Sequence, residues 1–103
     1  MRHMRIRPEG DFRVVAATER SQAAIMVIEP NQMTGSVDNM HLHSDQWLYV
    51  LSGSGKAIVE GIEIALEPGI LLLIEPGEVH EIFAGEQRLE TINFYAPSEY
   101  PAD

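Results

Sequence analysis

Apolar and polar residues alternate along this chain in short runs, and Gly, Pro, Asn and Ser separate one run from the next. A period of two over a few residues puts every second side chain on the same face, which is the signature of a half-buried strand. The pattern predicts strands at Arg13–Ala17, Ala23–Glu29, Met40–His43, Gln46–Leu51, Lys56–Glu60, Ile62–Leu66, Ile70–Ile74, Val79–Phe83 and Leu89–Tyr95. Ser52-Gly53-Ser54-Gly55 reads as a flexible hairpin connection, and Glu60-Gly61 as a tight two-residue turn. Glu67-Pro68-Gly69 and Glu75-Pro76-Gly77 are two further turns, each beside an apolar strand. No stretch sustains the i, i+3, i+4, i+7 stripe of a helix; Gln22–Ile28 contains helix formers, but Ile28-Glu29-Pro30-Asn31 reads as a strand running into a turn. Residues 96–103 hold two prolines and little apolar mass, the composition of a surface tail.

Short strands recurring about every 8 to 12 residues indicate an all-β sandwich or barrel. Closing the sheet hides its edges, and a barrel of about eight strands has room for one small ligand. The 103 residues suit one domain, 1–103, and a 45% hydrophobic content is enough for a real core.

Charge and composition then remove several classes of function. The formal net charge of −9 disfavours nucleic acid and anionic membrane surfaces, which select Lys/Arg patches. The absence of cysteine excludes disulfide scaffolds, thiolate metal sites and a cysteine nucleophile. The longest apolar run, Ile70 to Ile74, is far below the roughly 20 residues of a membrane span, and no leader pattern follows the basic Met1–Arg7 segment. The expectation is a cytoplasmic protein. Nothing marks a nucleophile elbow or a phosphate-cradling glycine loop.

Histidine carries the remaining chemistry. His3 lies near the terminus, while His41 and His43 are two apart, so on a strand they share a face with Cα atoms about 6.6 Å apart. Two imidazoles at that spacing can converge on one metal ion, although His-x-His alone also describes two surface histidines. On the interior parity, Gln46, Leu48 and Val50 share one face; Trp47, Tyr49 and Leu51 share the other, as packing residues between sheets or across a subunit boundary. Ile82 shares the parity of His80.

Gly35, then five residues to His41-Leu42-His43, then Gln46 and six residues to Gly53, form one motif; Gly69, then Pro76-Gly77 and His80, form a second. This arrangement resembles the cupin superfamily, small barrels of the jelly-roll or double-stranded β-helix type. The resemblance implies His41, His43 and His80 as metal ligands through neutral imidazole nitrogen, with a fourth ligand where cupins carry Glu. Here that place is taken by Gln46, counting back from Gly53, or by Asp45, counting forward by strand parity; a turn at Ser44-Asp45 favours Gln46. Glu75 replaces the first Pro of the second motif, and Ala84 its Asn. The metal implied is a divalent Zn, Ni, Fe, Mn or Co.

With a neutral carboxamide in place of a carboxylate the ion keeps its full charge, which strengthens its Lewis acidity and makes a ferric state less favourable. The reading is therefore a metal-dependent enzyme that isomerises or tautomerises a small oxygenated molecule, neutral or anionic, as similar sugar-acid isomerases do, or one that dioxygenates it. Glu78, Glu81 and Asp45 are the candidate acid–base groups. A binding or sensing module without turnover is the alternative. Homodimers are expected from the family and from the open edges of so small a barrel, where Phe12–Ala17 is placed to extend a partner's sheet.

Overall fold

In a computed structural model, which describes residues 1–36 and 41–100, the chain forms nine strands and, among the described residues, no helix. The strands are β1 (Phe12–Ala17), β2 (Gln22–Ile28), β3 (Met33–Ser36), β4 (Asp45–Ser52), β5 (Gly55–Val59), β6 (Ile62–Leu66), β7 (Leu71–Ile74), β8 (His80–Ala84) and β9 (Leu89–Ala96). They build two antiparallel sheets, one in the order β1-β2-β9-β4-β7 and one in the order β3-β8-β5-β6. Their inner faces meet in one core that joins Met26 and Ile28 to Leu48, Val50, Val59, Leu66, Ile74, Ile82 and Leu89.

Local chemistry explains the joints. Glu60 and Gly61 both have positive φ, 49° and 79°, the pair that a tight hairpin turn between β5 and β6 requires. At Gly53, φ is 87°, and a Cβ there would lie 1.9 Å from the Arg88 carbonyl oxygen. Only glycine lets β4 and β9 pass so close at that corner.

Strand β4 shows the alternation most plainly: Gln46, Leu48 and Val50 are buried, whereas Trp47, Tyr49 and Leu51 are exposed. Strand β2 is buried over most of its length and lies inside its sheet between β1 and β9.

Two expectations are corrected. Of the expected strand Met40–His43, Met40 lies outside the described residues, and residues 41–44 make a bend that enters β4. Instead Met33–Ser36 pairs with β8, with Thr34 opposite Ile82. Residues 96–100, the described part of the expected tail, lie at or near the surface but are held down. The Ser44 hydroxyl donates to the Pro97 carbonyl at 2.7 Å, and Gln22, 2% exposed, binds the backbone of Glu99 and Tyr100.

Candidate metal centre

The two motif segments are tied together through their backbones. The Gly77 N–H, in the turn before β8, donates to the His41 carbonyl at 2.8 Å. Beyond that turn His80 opens β8 with its side chain inward. The His41 and His80 rings lie 5.1 Å apart by centroid, and the edge of Tyr95 lies against His41 at 5.7 Å. His41, Gln46 and His80 are 5%, 3% and 4% exposed.

Each imidazole has its Nδ1 turned to a backbone carbonyl. His41 Nδ1 donates to the Ser44 carbonyl at 2.9 Å, and His80 Nδ1 donates to the Glu78 carbonyl at 3.0 Å. A carbonyl can only accept, so Nδ1 carries the proton in both rings, and Nε2 is the nitrogen with ligand character. Burial lowers the His80 pKa, the Glu78 carbonyl working against it and His41 with it, which favours the neutral ring a metal needs.

Gln46 is aimed by a longer chain of hydrogen bonds. The Thr91 hydroxyl donates to the Met26 carbonyl at 2.8 Å, and its oxygen accepts from Asn93 Nδ2 at 3.0 Å. Asn93 Oδ1 then accepts from Gln46 Nε2 at 2.9 Å. Because a hydroxyl has one hydrogen, spent here on Met26, the direction of every later bond is set. Gln46 Oε1 is left facing His41 Nε2 at 2.8 Å.

Here two atoms with lone pairs, each fixed from behind, point at one another. The contact is completed only by a shared positive centre, either an extra ring proton or a metal ion. Ligands about 2.0–2.1 Å from one ion and at right angles around it lie about 2.9 Å apart, close to the spacing seen. Two imidazoles and a carboxamide oxygen suit a divalent transition metal.

Gln46 Oε1 faces His41 Nε2, whereas Asp45 begins β4 with the opposite parity. His43 is exposed on the bend, because residues 41–44 do not follow the strand alternation that would put it beside His41. Among the described residues no three His, Cys, Asp or Glu side chains gather, since the third member here is an amide. Thr91, Asn93 and Tyr95, which orient and flank the site, were missed by sequence reasoning. Their signal is visible in β9, where polar groups occupy alternate, inward positions of a strand.

A cavity of about 450 Å³ opens onto Gln46 and His80 and is lined also by Met26, Ile82 and Tyr95. The proposed acid–base residues do not line it. The Glu78 carboxylate accepts from the Glu75 N–H instead, and Glu81 alternates away from His80 along β8.

With this geometry in hand, the comparison with known families is decisive: a model described as the cupin domain matches residues 24–95, which spans all three site residues. The chain belongs to the cupin family. KdgF from Halomonas sp. superposes on this cupin with a TM-score of 0.78 at 24% identity, over 85% of this chain and 78% of that one. An uncharacterized conserved protein with a double-stranded β-helix domain from Klebsiella pneumoniae gives 0.78 at 26% identity, over 93% and 86%. A predicted oxalate decarboxylase from Thermotoga maritima gives 0.70 at 22%, over 78% and 69%. These likenesses establish the double-stranded β-helix fold. A search of curated proteins returned no match. Among the described residues no helix is long and apolar enough to cross a membrane.

Proposed function

We propose that this cupin holds a divalent transition metal through His41, Gln46 and His80 and acts on a small oxygenated molecule by isomerisation or tautomerisation, with dioxygenation the other chemistry open to such a site. The observation that carries the reading is the 2.8 Å approach of His41 Nε2 and Gln46 Oε1, each oriented by bonds that end on backbone carbonyls. When bound, the ion would supply Lewis acidity undiminished by a ligand carboxylate, polarising a substrate oxygen. The chain's own contribution is orientation and dryness. The Ser44 and Glu78 carbonyls fix the imidazole tautomers, Asn93 holds the carboxamide, and Met26 and Ile82 form part of the apolar wall beside them. His43, two residues from His41, supplies a further ligand only if the bend turns inward.

Metal-stripped protein titrated with Zn, Ni and Mn is expected to take up about one ion per chain with a rise in melting temperature. Occupancy is expected to fall on acidification as the imidazole ligands protonate, with the lowered His80 pKa holding that ring neutral to below the usual histidine range. Fewer than about 0.1 ion per chain, with no thermal shift, would sink the reading. The expected ranking is a loss of binding in His41→Ala and His80→Ala, with less than about a tenfold loss in His43→Ala.

A second reading, a binding module without turnover, draws support from the absence of Asp45, Glu78 and Glu81 from the cavity wall. Screening carbonyl compounds and sugar acids on the metal-loaded protein separates the two, because any product excludes the module. On either reading we infer a homodimer formed on the outer face of the five-stranded sheet. There Trp47 lies opposite both Phe94 and Leu73, and Tyr49 lies opposite Leu71. Light scattering at the mass of one chain across a concentration range would overturn it.

A further inference from the structure

We propose that the cavity takes a ligand with a single oxygen-bearing head and an uncharged, flat, apolar body, the body seated against Phe12, Tyr95 and Tyr100. The proposal narrows the substrate class of the metal site described above and rests on that reading for the head group alone.

The aromatic corner is built, not incidental. Phe12 and Tyr100 meet edge to face at 4.9 Å, Tyr95 and Tyr100 at 5.1 Å, and Phe12 and Tyr95 at 6.5 Å. All three line the cavity that reaches Gln46 and His80. Tyr100 lies beyond the last strand, yet its place is set by Gln22, whose carboxamide is spent on it from both ends. Nε2 donates to the Tyr100 carbonyl at 2.5 Å, and Oε1 accepts from the N–H groups of Tyr100 at 3.0 Å and Glu99 at 3.2 Å. The Ser98 hydroxyl, against the Thr18 and Ser21 carbonyls, secures the same segment. A buried side chain that binds the Tyr100 backbone through both its amide nitrogen and its oxygen holds that ring over the cavity as an aromatic wall. Such faces select flat apolar groups.

Charge excludes the opposite kind of body. None of the seven Lys and Arg side chains of the chain lines the cavity, but Asp11 and Glu29 do. Arg88 answers Glu29 at 3.3 Å, whereas Asp11 enters no ion pair among the described residues. An anionic group on the ligand body would find no Lys or Arg there and would face Asp11, with Gln32 and Thr34 the uncharged polar groups in reach. The proposed ion would serve the head. Polyanionic sugar acids and dicarboxylates are thereby disfavoured.

The pair 4-methylbenzoate and terephthalate tests this, because they share a head and a length and differ only by methyl or carboxylate at the far end. Affinities are read by NMR titration on wild-type protein with and without Zn, following the Phe12, Tyr95 and Tyr100 ring resonances. The methyl compound is expected to bind about tenfold tighter or better than terephthalate. Tyr100→Ala is expected to weaken it about fivefold while leaving Zn uptake unchanged, and Asp11→Arg to bring the two ligands within about threefold of each other. A preference below tenfold, no binding of either compound, or a Tyr100→Ala protein that binds as wild type would overturn the proposal. Zn uptake by the ligand-free protein reports separately on the metal reading. If uptake fails, both ligands lose the head contact together, and their ratio on metal-free protein still judges the wall.

Discussion

The two faces of β4 are chemically inverted. Its inward side begins with a carboxamide, Gln46, buried among two imidazoles and Asn93, while its outward side carries Trp47 and Tyr49 exposed at 40% and 39%. Elsewhere inside the barrel the rule is ordinary: Leu48 and Val50, next along the same face, are fully buried and apolar. A buried amide needs polar partners in place, and here Thr91 and Asn93 hold Gln46 Nε2 while Oε1 is left facing His41 Nε2. The outer aromatics lie in register with Phe94, Leu71 and Leu73 as one apolar surface. On the functional reading proposed above, the inner departure would serve a cation and the outer one a second subunit.

The largest effect that separates the faces is in packing. Leu48→Ala is expected to cost about 2–5 kcal/mol in urea unfolding, against less than about 1 kcal/mol for Tyr49→Ala one residue away. Equal losses would show that the outer face is as tightly packed in the monomer as the inner one. Next comes the polar chain. Asn93→Leu leaves Gln46 Nε2 without its acceptor and Thr91 Oγ1 without its donor, with an expected cost of about 1–3 kcal/mol. Metal affinity should fall about 10–100-fold in the same variant, as for other groups that orient a ligand. Unchanged affinity would mean that Gln46 is not aimed through Asn93. On the outer face, Trp47→Ser with Phe94→Ser should convert dimer to monomer with little change in metal uptake, as read by light scattering and metal analysis.

Most of this architecture is legible in the sequence because period-two alternation and Pro-Gly turns are local. Eight of the nine predicted runs overlap observed strands, with shifts of a residue or so at their ends. The failure at Met40–His43 is instructive. His-Leu-His has the alternation of a strand but no neighbour to pair with, and the His41 carbonyl is taken by the Gly77 N–H of a turn. Parity was applied where no ladder exists, so His43 was expected beside His41 and is exposed. The same local rule reads β9 as a strand but cannot see that Thr91 and Asn93 lie beneath Gln46, because that depends on which strand lands next to β4. His80 enters only through the cupin resemblance that Gly69 and Pro76-Gly77 carry. The Gln22 clamp on Tyr100 joins residues 78 positions apart, and nothing in the composition of the last eight residues announces it.

The smallest effect concerns the boundary between the two environments, at Tyr95. It ends the inward row of β9 and is 2% exposed, and burial, reinforced by Tyr100, pushes its phenol pKa well above the usual value. The neighbouring Tyr100 is raised as well, again chiefly by burial. A phenol harder to ionise in the folded chain than in the unfolded chain contributes stability that is complete below the unfolded value of about 10. Above it the unfolded chain gives up a proton that the native state retains, so stability drains away as pH rises. Urea midpoints measured from about pH 8 to about pH 11.5 should therefore fall steeply above pH 10 in the wild type and less steeply in Tyr95→Phe. The relief should be smaller in Tyr100→Phe, whose ring is the more exposed of the two. Parallel profiles for wild type and Tyr95→Phe would place the Tyr95 hydroxyl in water, and with it the dry rim that separates the histidines from solvent on that side.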